Sequence, residues 1–174
     1  MTNASKAAAL GVIGFAAYWL TRPRPLTASV TTSSTVDLDP LGLGMTDYPR
    51  QIKDFATAIA RAEGFFVNGS IPDQAHNPGN LKTPTWTAPG EIEGRTLGEG
   101  IALFESDGAG WNALYRQLHL IVTGESRVYN LDMTIRDMAA RWVGTNEVEA
   151  GQWARNVSLQ LGVSESTKLY QALV

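Results

Sequence analysis

Four stretches of this chain carry apolar residues at helical spacing, and a glycine closes each one. Ile52, Phe55, Ala56, Ile59 and Ala60 recur at i, i+3, i+4, i+7 and i+8, with Gly64 just beyond them. Trp111, Leu114, Tyr115, Leu118 and Val122 precede Gly124. Ile135, Met138, Ala139 and Trp142 precede Gly144, and Trp153, Val157 and Leu161 precede Gly162. Glycine adopts the left-handed backbone that ends a helix without a Cβ penalty. A chain punctuated this way is mostly helical. The starts are marked as well: Thr46 or Asp47 for the first helix with Pro49 in its first turn, and Ser106 or Asp107 for the second. Thr134 with Asp137 at the capping-box position opens the third, and Asn146 opens the fourth. Ser164 is expected to open a short last helix through Leu169, Tyr170 and Leu173.

Residues 65–105 interrupt this pattern. Gly, Pro, Asn and Thr dominate, and Asn77-Pro78-Gly79-Asn80 reads as a tight turn. Short strand candidates flank Pro89-Gly90, and Ile101–Phe104 is another. The order of a helix, a small β lobe and further helices predicts an α+β fold.

The N-terminal part is of another kind. Residues 7–20 form an uncharged run bounded by Lys6 and by Arg22 and Arg24, and residues 21–46 are rich in Thr, Ser and Pro. The expected organisation is a membrane-anchor segment at 1–20, a linker at 21–46 and a globular domain at 47–174. Tyr18 and Trp19 suit a bilayer interface. The run is shorter than the roughly 20 residues of a full span, so a cleaved signal peptide and a core helix stand as alternatives. Positive charge at both ends leaves the orientation open.

Composition removes other classes. Cys is absent and there are two His, so neither a disulfide scaffold nor a Cys- or His-built metal site is expected. Residues 47–174 hold 11 basic and 15 acidic groups, an acidic balance that disfavours nucleic acid as a partner.

One carboxylate is out of place. Glu63 lies four residues after Ile59, eight after Phe55 and eleven after Ile52, on the apolar stripe and at the negative end of the helix dipole. Desolvation and the dipole both favour the protonated carboxyl, which is what a general acid requires. The turn-rich loop that follows offers amides to a hydroxyl- or amide-rich ligand.

Ile59-Ala60-Arg61-Ala62-Glu63-Gly64-Phe65, followed by Asn77-Pro78-Gly79-Asn80-Leu81-Lys82, resembles the lysozyme-like peptidoglycan-cleaving proteins. The likeness is closest to the virion-associated lytic transglycosylases of bacteriophages. Ile101–Phe104, Gly108-Ala109-Gly110-Trp111-Asn112-Ala113-Leu114, Thr134–Met138 and Asn156–Val163 extend it over about residues 50 to 174. The resemblance implies a lysozyme-like catalytic domain with Glu63 as catalytic acid, acting on the β-1,4 bond between N-acetylmuramic acid and N-acetylglucosamine. It implies no cofactor. It places the protein in a virion membrane or in a bacterial envelope facing the periplasm, beside other virion or envelope proteins. In this reading the chain opens the wall locally as a phage penetrates it. Where many similar proteins have a Tyr-Ala-Pro segment, this chain has Arg141-Trp142-Val143-Gly144, so Trp142 is the candidate to stand near the acid.

A hydrolase normally adds a second carboxylate, whereas a transglycosylase needs one Glu. Among Asp73, Glu91, Glu93, Glu99, Glu105 and Asp107, Glu105 is the candidate to face the cleft; Glu91 and Glu93 read as an exposed hairpin and Asp107 as a helix start. Asn77 and Asn80 are candidate contacts to sugar acetamido groups, with turn formation as the alternative. Gln74 and His76 rank below them. Phe65, Phe66 and Trp86 are candidates to stack on sugar faces, and His119 lies off its apolar stripe. A muramidase acting on the same bond and a non-catalytic, membrane-anchored structural protein are the competing functions.

Overall fold

The computed structural model describes residues 48–82, 88–98, 100–144 and 146–174. The expected anchor at 1–20, the linker at 21–46, Thr46, Asp47, Trp86 and Glu99 lie outside the described residues, as does the strand candidate preceding Pro89. Among the described residues, no helix is long and apolar enough to cross a membrane.

The first helix, α1, runs Arg50–Glu63. Its N-cap is Pro49, with no side-chain cap. Its stripe is fully buried: Ile52, Phe55, Ala56, Ile59 and Ala60 have no exposed surface. Gly64 ends it at φ 82°, its N–H turned back to the carbonyls of Ala60 and Arg61. The Ser70 hydroxyl then donates to the Gly64 carbonyl at 2.9 Å, tying down the chain just after Glu63. Ser70 also caps α2, Ile71–Gln74, a single turn with no counterpart among the expected elements. Four residues are too few to show a helical period.

The β lobe is one antiparallel pair, β1 (Glu91–Leu97) and β2 (Ile101–Phe104). Its register is Glu91↔Phe104, Thr96↔Ala102 and Leu97↔Ile101, with a bulge between Glu91 and Thr96. Phe104, Ala102, Ala88 and Ala113 form a small core of their own.

The helices α3 (Asp107–Val122), α4 (Ile135–Trp142), α5 (Glu147–Leu161) and α6 (Leu169–Leu173) complete the domain. Ser106 and Asn146 cap α3 and α5, and Thr134 with Asp137 forms the reciprocal capping box of α4. α1 packs on α3, α5 and α6, and α4 packs on α5. Their shared core includes Leu114, Leu118, Ile121, Ile135, Met138, Trp153, Val157 and Leu169.

The last helix starts at Leu169 and not at Ser164. Residues 164–168 have another task. The N–H groups of Ile135 and Arg136, which lack intrahelical partners at the start of α4, donate to Thr167 O and Glu165 O, each at 3.0 Å. Holding those acceptors in place keeps this stretch out of a helix. The described residues are thus mostly helical with a two-stranded antiparallel sheet, compatible with α+β.

Candidate active site

Glu63 is the last residue of α1, continuing the buried stripe to the point where the chain turns away. It is half-buried. Three neutral side chains from distant elements reach its carboxyl. The Trp153 indole N–H, from α5, donates to Oε1 at 2.8 Å. Trp142, from α4, and Asn80, from the turn before the β lobe, stand close enough to favour its ionised form. Burial pushes the Glu63 carboxyl up from 4.5 to about 7, and the Trp153 hydrogen bond, with the Asn80 and Trp142 dipoles beside it, opposes that rise. No charged group figures among these causes. The result is a carboxyl that both holds and releases a proton near neutrality, as an acid that must later act as a base requires.

The two indoles form one unit. Trp142 stacks on Trp153 with ring centroids 5.8 Å apart and 30° between planes, and Tyr129 lies against Trp142 at 5.9 Å. The sequence marked both tryptophans as stripe residues, and Trp153 as nothing more. A lone indole on an apolar face looks the same whether its N–H meets a carbonyl or a carboxyl, so no local signal distinguishes it.

Asn77 and Asn80 part company. Asn77 has no exposed surface. Its amide donates to Leu81 O at 2.9 Å and to Ala102 O at 2.8 Å, and its carbonyl accepts from Leu81 N at 2.9 Å. One amide hydrogen closes the turn on Leu81 and the other staples it to Ala102 of β2, which leaves none for the sugar contact expected of it. Asn80 sits at φ 49°, a left-handed backbone that Asn tolerates. Its Oδ1 is buried and has no partner within the protein.

Among the described residues, the other candidate carboxylates are occupied or turned outward. Glu105 is exposed just beyond β2, and no contact brings it to Glu63. Glu91 is buried rather than exposed: it accepts the Ala88 N–H at 2.9 Å and closes its own turn. Glu93 is exposed. Asp73 accepts from Gly69 N at 2.8 Å, and Asp107, the first residue of α3, lies 2.6 Å from His76 Nδ1. Gln74 donates to Gly69 O at 2.7 Å.

Next to the acid, Phe65 is buried and Phe66 is 59% exposed. The two rings meet edge to face at 5.4 Å, and both approach Trp111. The Arg61 guanidinium lies 5.6 Å above the Phe66 ring. Phe66, three residues past the end of α1, and the half-buried Trp111, which packs beside it, are therefore accessible aromatic surfaces. His119 is exposed and contacts Tyr48 at 5.7 Å. Among the described residues, no group of three or more His, Asp or Glu is placed to hold a metal ion.

Comparison of the chain with protein-family models, with curated proteins and with solved structures returns no match.

Proposed function

We propose that this protein is a lytic transglycosylase of peptidoglycan, with Glu63 as its single general acid/base. The observation that carries the reading is the Glu63 carboxyl, buried at a helix end with the Trp153 N–H on Oε1 and held near 7. In the first step Glu63 protonates the glycosidic oxygen between N-acetylmuramic acid and N-acetylglucosamine, and the bond from that oxygen to C1 of the muramic acid breaks. In the second step the Glu63 carboxylate takes the proton of the muramic acid 6-hydroxyl as that oxygen bonds to C1. The products are a 1,6-anhydro sugar end and a free N-acetylglucosamine 4-hydroxyl. Glu63 returns to its protonated form, and no water is consumed.

One carboxyl serves both steps only if both of its protonation states are accessible at the working pH, and a value near 7 meets that condition. The commitments of Glu91, Asp73 and Asp107 elsewhere favour this mechanism over hydrolysis by a carboxylate pair. Asn80 is the proposed substrate contact, because its half-buried side chain stands beside the Glu63 carboxyl. Phe66 and Trp111 offer faces for sugar rings.

The proposed setting follows the sequence. Residues 1–20 tether the catalytic domain to a virion membrane or to a bacterial envelope facing the periplasm, beside other virion or envelope proteins. There it opens the wall locally as a phage penetrates it. The experiment is mass spectrometry of purified sacculi digested with the full chain. Anhydro-ended fragments are expected. Reducing ends would make the protein a muramidase, and intact sacculi would make it a non-catalytic envelope or virion component.

A further inference from the structure

We infer that Trp153 is a positioning residue for Glu63: its indole N–H holds Oε1 and so assigns the transferable proton to Oε2. This rests on the reading of Glu63 as the acid of glycan cleavage.

The argument starts from what an indole can do. Its N–H donates and has no lone pair with which to accept. The carboxyl oxygen 2.8 Å away, Oε1, is therefore the accepting oxygen in both protonation states. When Glu63 is protonated, the hydroxyl is on Oε2. When it is ionised, the N–H bears on a full carboxylate charge, and a charge-assisted hydrogen bond is about twice as strong as a neutral one. Trp153 thus gives most in the second step, when the carboxylate must exist in a desolvated site. It takes up no proton at any stage, so it leaves the proton count of the reaction untouched.

Packing holds the indole to this geometry. Trp153 is 5% exposed, its ring is stacked on Trp142, and Tyr129 backs Trp142 in turn. Burial raises the Tyr129 hydroxyl to about 12, so this wall stays neutral through the working range. The charged groups of the surrounding elements are paired or exposed. On α4, Arg136 pairs with Glu165, Asp137 caps Thr134 and Arg141 donates to Val128 O. On α5, Arg155 faces Glu165, and Glu147 and Glu149 are exposed at the N-terminal end. On α1, Arg61 lies over Phe66; beside the turn, His76 pairs with Asp107. A titration felt at the Trp153 N–H near neutral pH therefore reports Glu63.

The test uses the full chain, ¹⁵N-labelled and in detergent micelles, with the indole N–H resonances followed from pH 5 to 9. The Trp153 signal, assigned by its loss in Trp153→Phe, should move in one step with a midpoint near 7. It should stop moving in Glu63→Gln. A Trp153 resonance that is flat, or that titrates unchanged in Glu63→Gln, overturns the assignment. Kinetics give the second arm. Trp153→Phe keeps a ring in place and removes the donor, so the ionised form loses support. The alkaline limb of the pH profile on sacculi should rise by about one pH unit. At the optimum, kcat should fall about tenfold while KM changes less than about twofold. An unchanged profile with unchanged kcat overturns the proposal. Should Trp153→Phe fail to fold, sequential NOE assignment of the unsubstituted chain identifies the Trp153 resonance, and its titration decides alone. A titrating indole in a protein that leaves sacculi intact would sustain the contact and remove the glycan-cleavage reading, so the two failures are distinguishable.

Discussion

Trp153 Nε1 lies 2.8 Å from Glu63 Oε1, joining α5 to the last residue of α1 across 90 positions of sequence. Glutamine at 63 keeps an oxygen to accept this bond and has no acid proton to give. Glu63→Gln should therefore fold and lose at least ~10²-fold in rate on sacculi, the smaller end of what general acid catalysis supplies. Activity and thermal melting measured on the same sample check this. A normally melting variant that still clears sacculi would remove Glu63 from the mechanism.

The raised carboxyl also predicts how stability depends on pH. The folded protein holds the Glu63 proton up to about 7, and the unfolded chain releases it near 4.5. Between these values the folded state binds more protons, so this contribution is fully present below about 4.5 and is lost as pH rises through 7. Glu63→Gln carries no such dependence. Relative to the parent, the variant should gain on the order of 2 kcal/mol between pH 4.5 and 8, a figure reduced for the partial access of water to the site. Urea melts of both proteins at three pH values measure the difference. A constant offset would mean that Glu63 ionises in the folded state as it does in water.

The two asparagines of the turn should separate stability from activity. Asn77→Ala strips the partners of Leu81 N and Ala102 O and should cost about 2–4 kcal/mol. Asn80→Gly keeps the left-handed backbone free of strain and removes the side chain that touches Glu63. It should lose activity and melt within a few degrees of the parent. The reverse pattern would exchange the two roles.

Gly110 marks the close approach of α3 to the turn beside the site. A Cβ there would lie 1.8 Å from the His76 carbonyl oxygen and 2.9 Å from Pro78 Cδ. The His76 backbone and the rigid Pro78 ring leave that Cβ no space, so Gly110→Ala should cost about 3 kcal/mol or more, as large overpacking does. It should also displace the turn that carries Asn80. Chemical denaturation and the activity of whatever fraction folds test this. A variant as stable as the parent would show that the two segments move apart freely.

The uncharged run at residues 7–20 should bring the full chain down with liposomes, and a chain lacking residues 1–24 should stay in the supernatant. Co-sedimentation with liposomes reads both. A full chain that remains in buffer without detergent would end the anchor proposal.

The parts of this protein that were legible in the sequence are those written within about one helical turn. Ile52, Phe55 and Ile59 share a face because a helix turns every 3.6 residues, and the same geometry put Glu63 at the end of that face. Ser106, Asn146 and the Thr134–Asp137 pair are caps because each side chain reaches a backbone N–H two or three residues away. What the tertiary structure decided is the surroundings of those groups. Asn77 and Asn80 are the same residue type in one turn, yet β2 takes the first as a brace while the second reaches the acid. Glu91 reads as a surface carboxylate and is buried on the Ala88 amide. Ser164 reads as a helix start, but α4 needs the carbonyls that follow it. Trp142 and Trp153 fit apolar stripes that would pack equally well with their N–H groups elsewhere, and only the crossing of α4 and α5 beside the end of α1 turns them onto Glu63. Periodicity and capping act between near neighbours in the chain. The desolvation that sets a carboxyl near 7 comes from atoms as far as 90 residues away, and it exists only once the helices have packed.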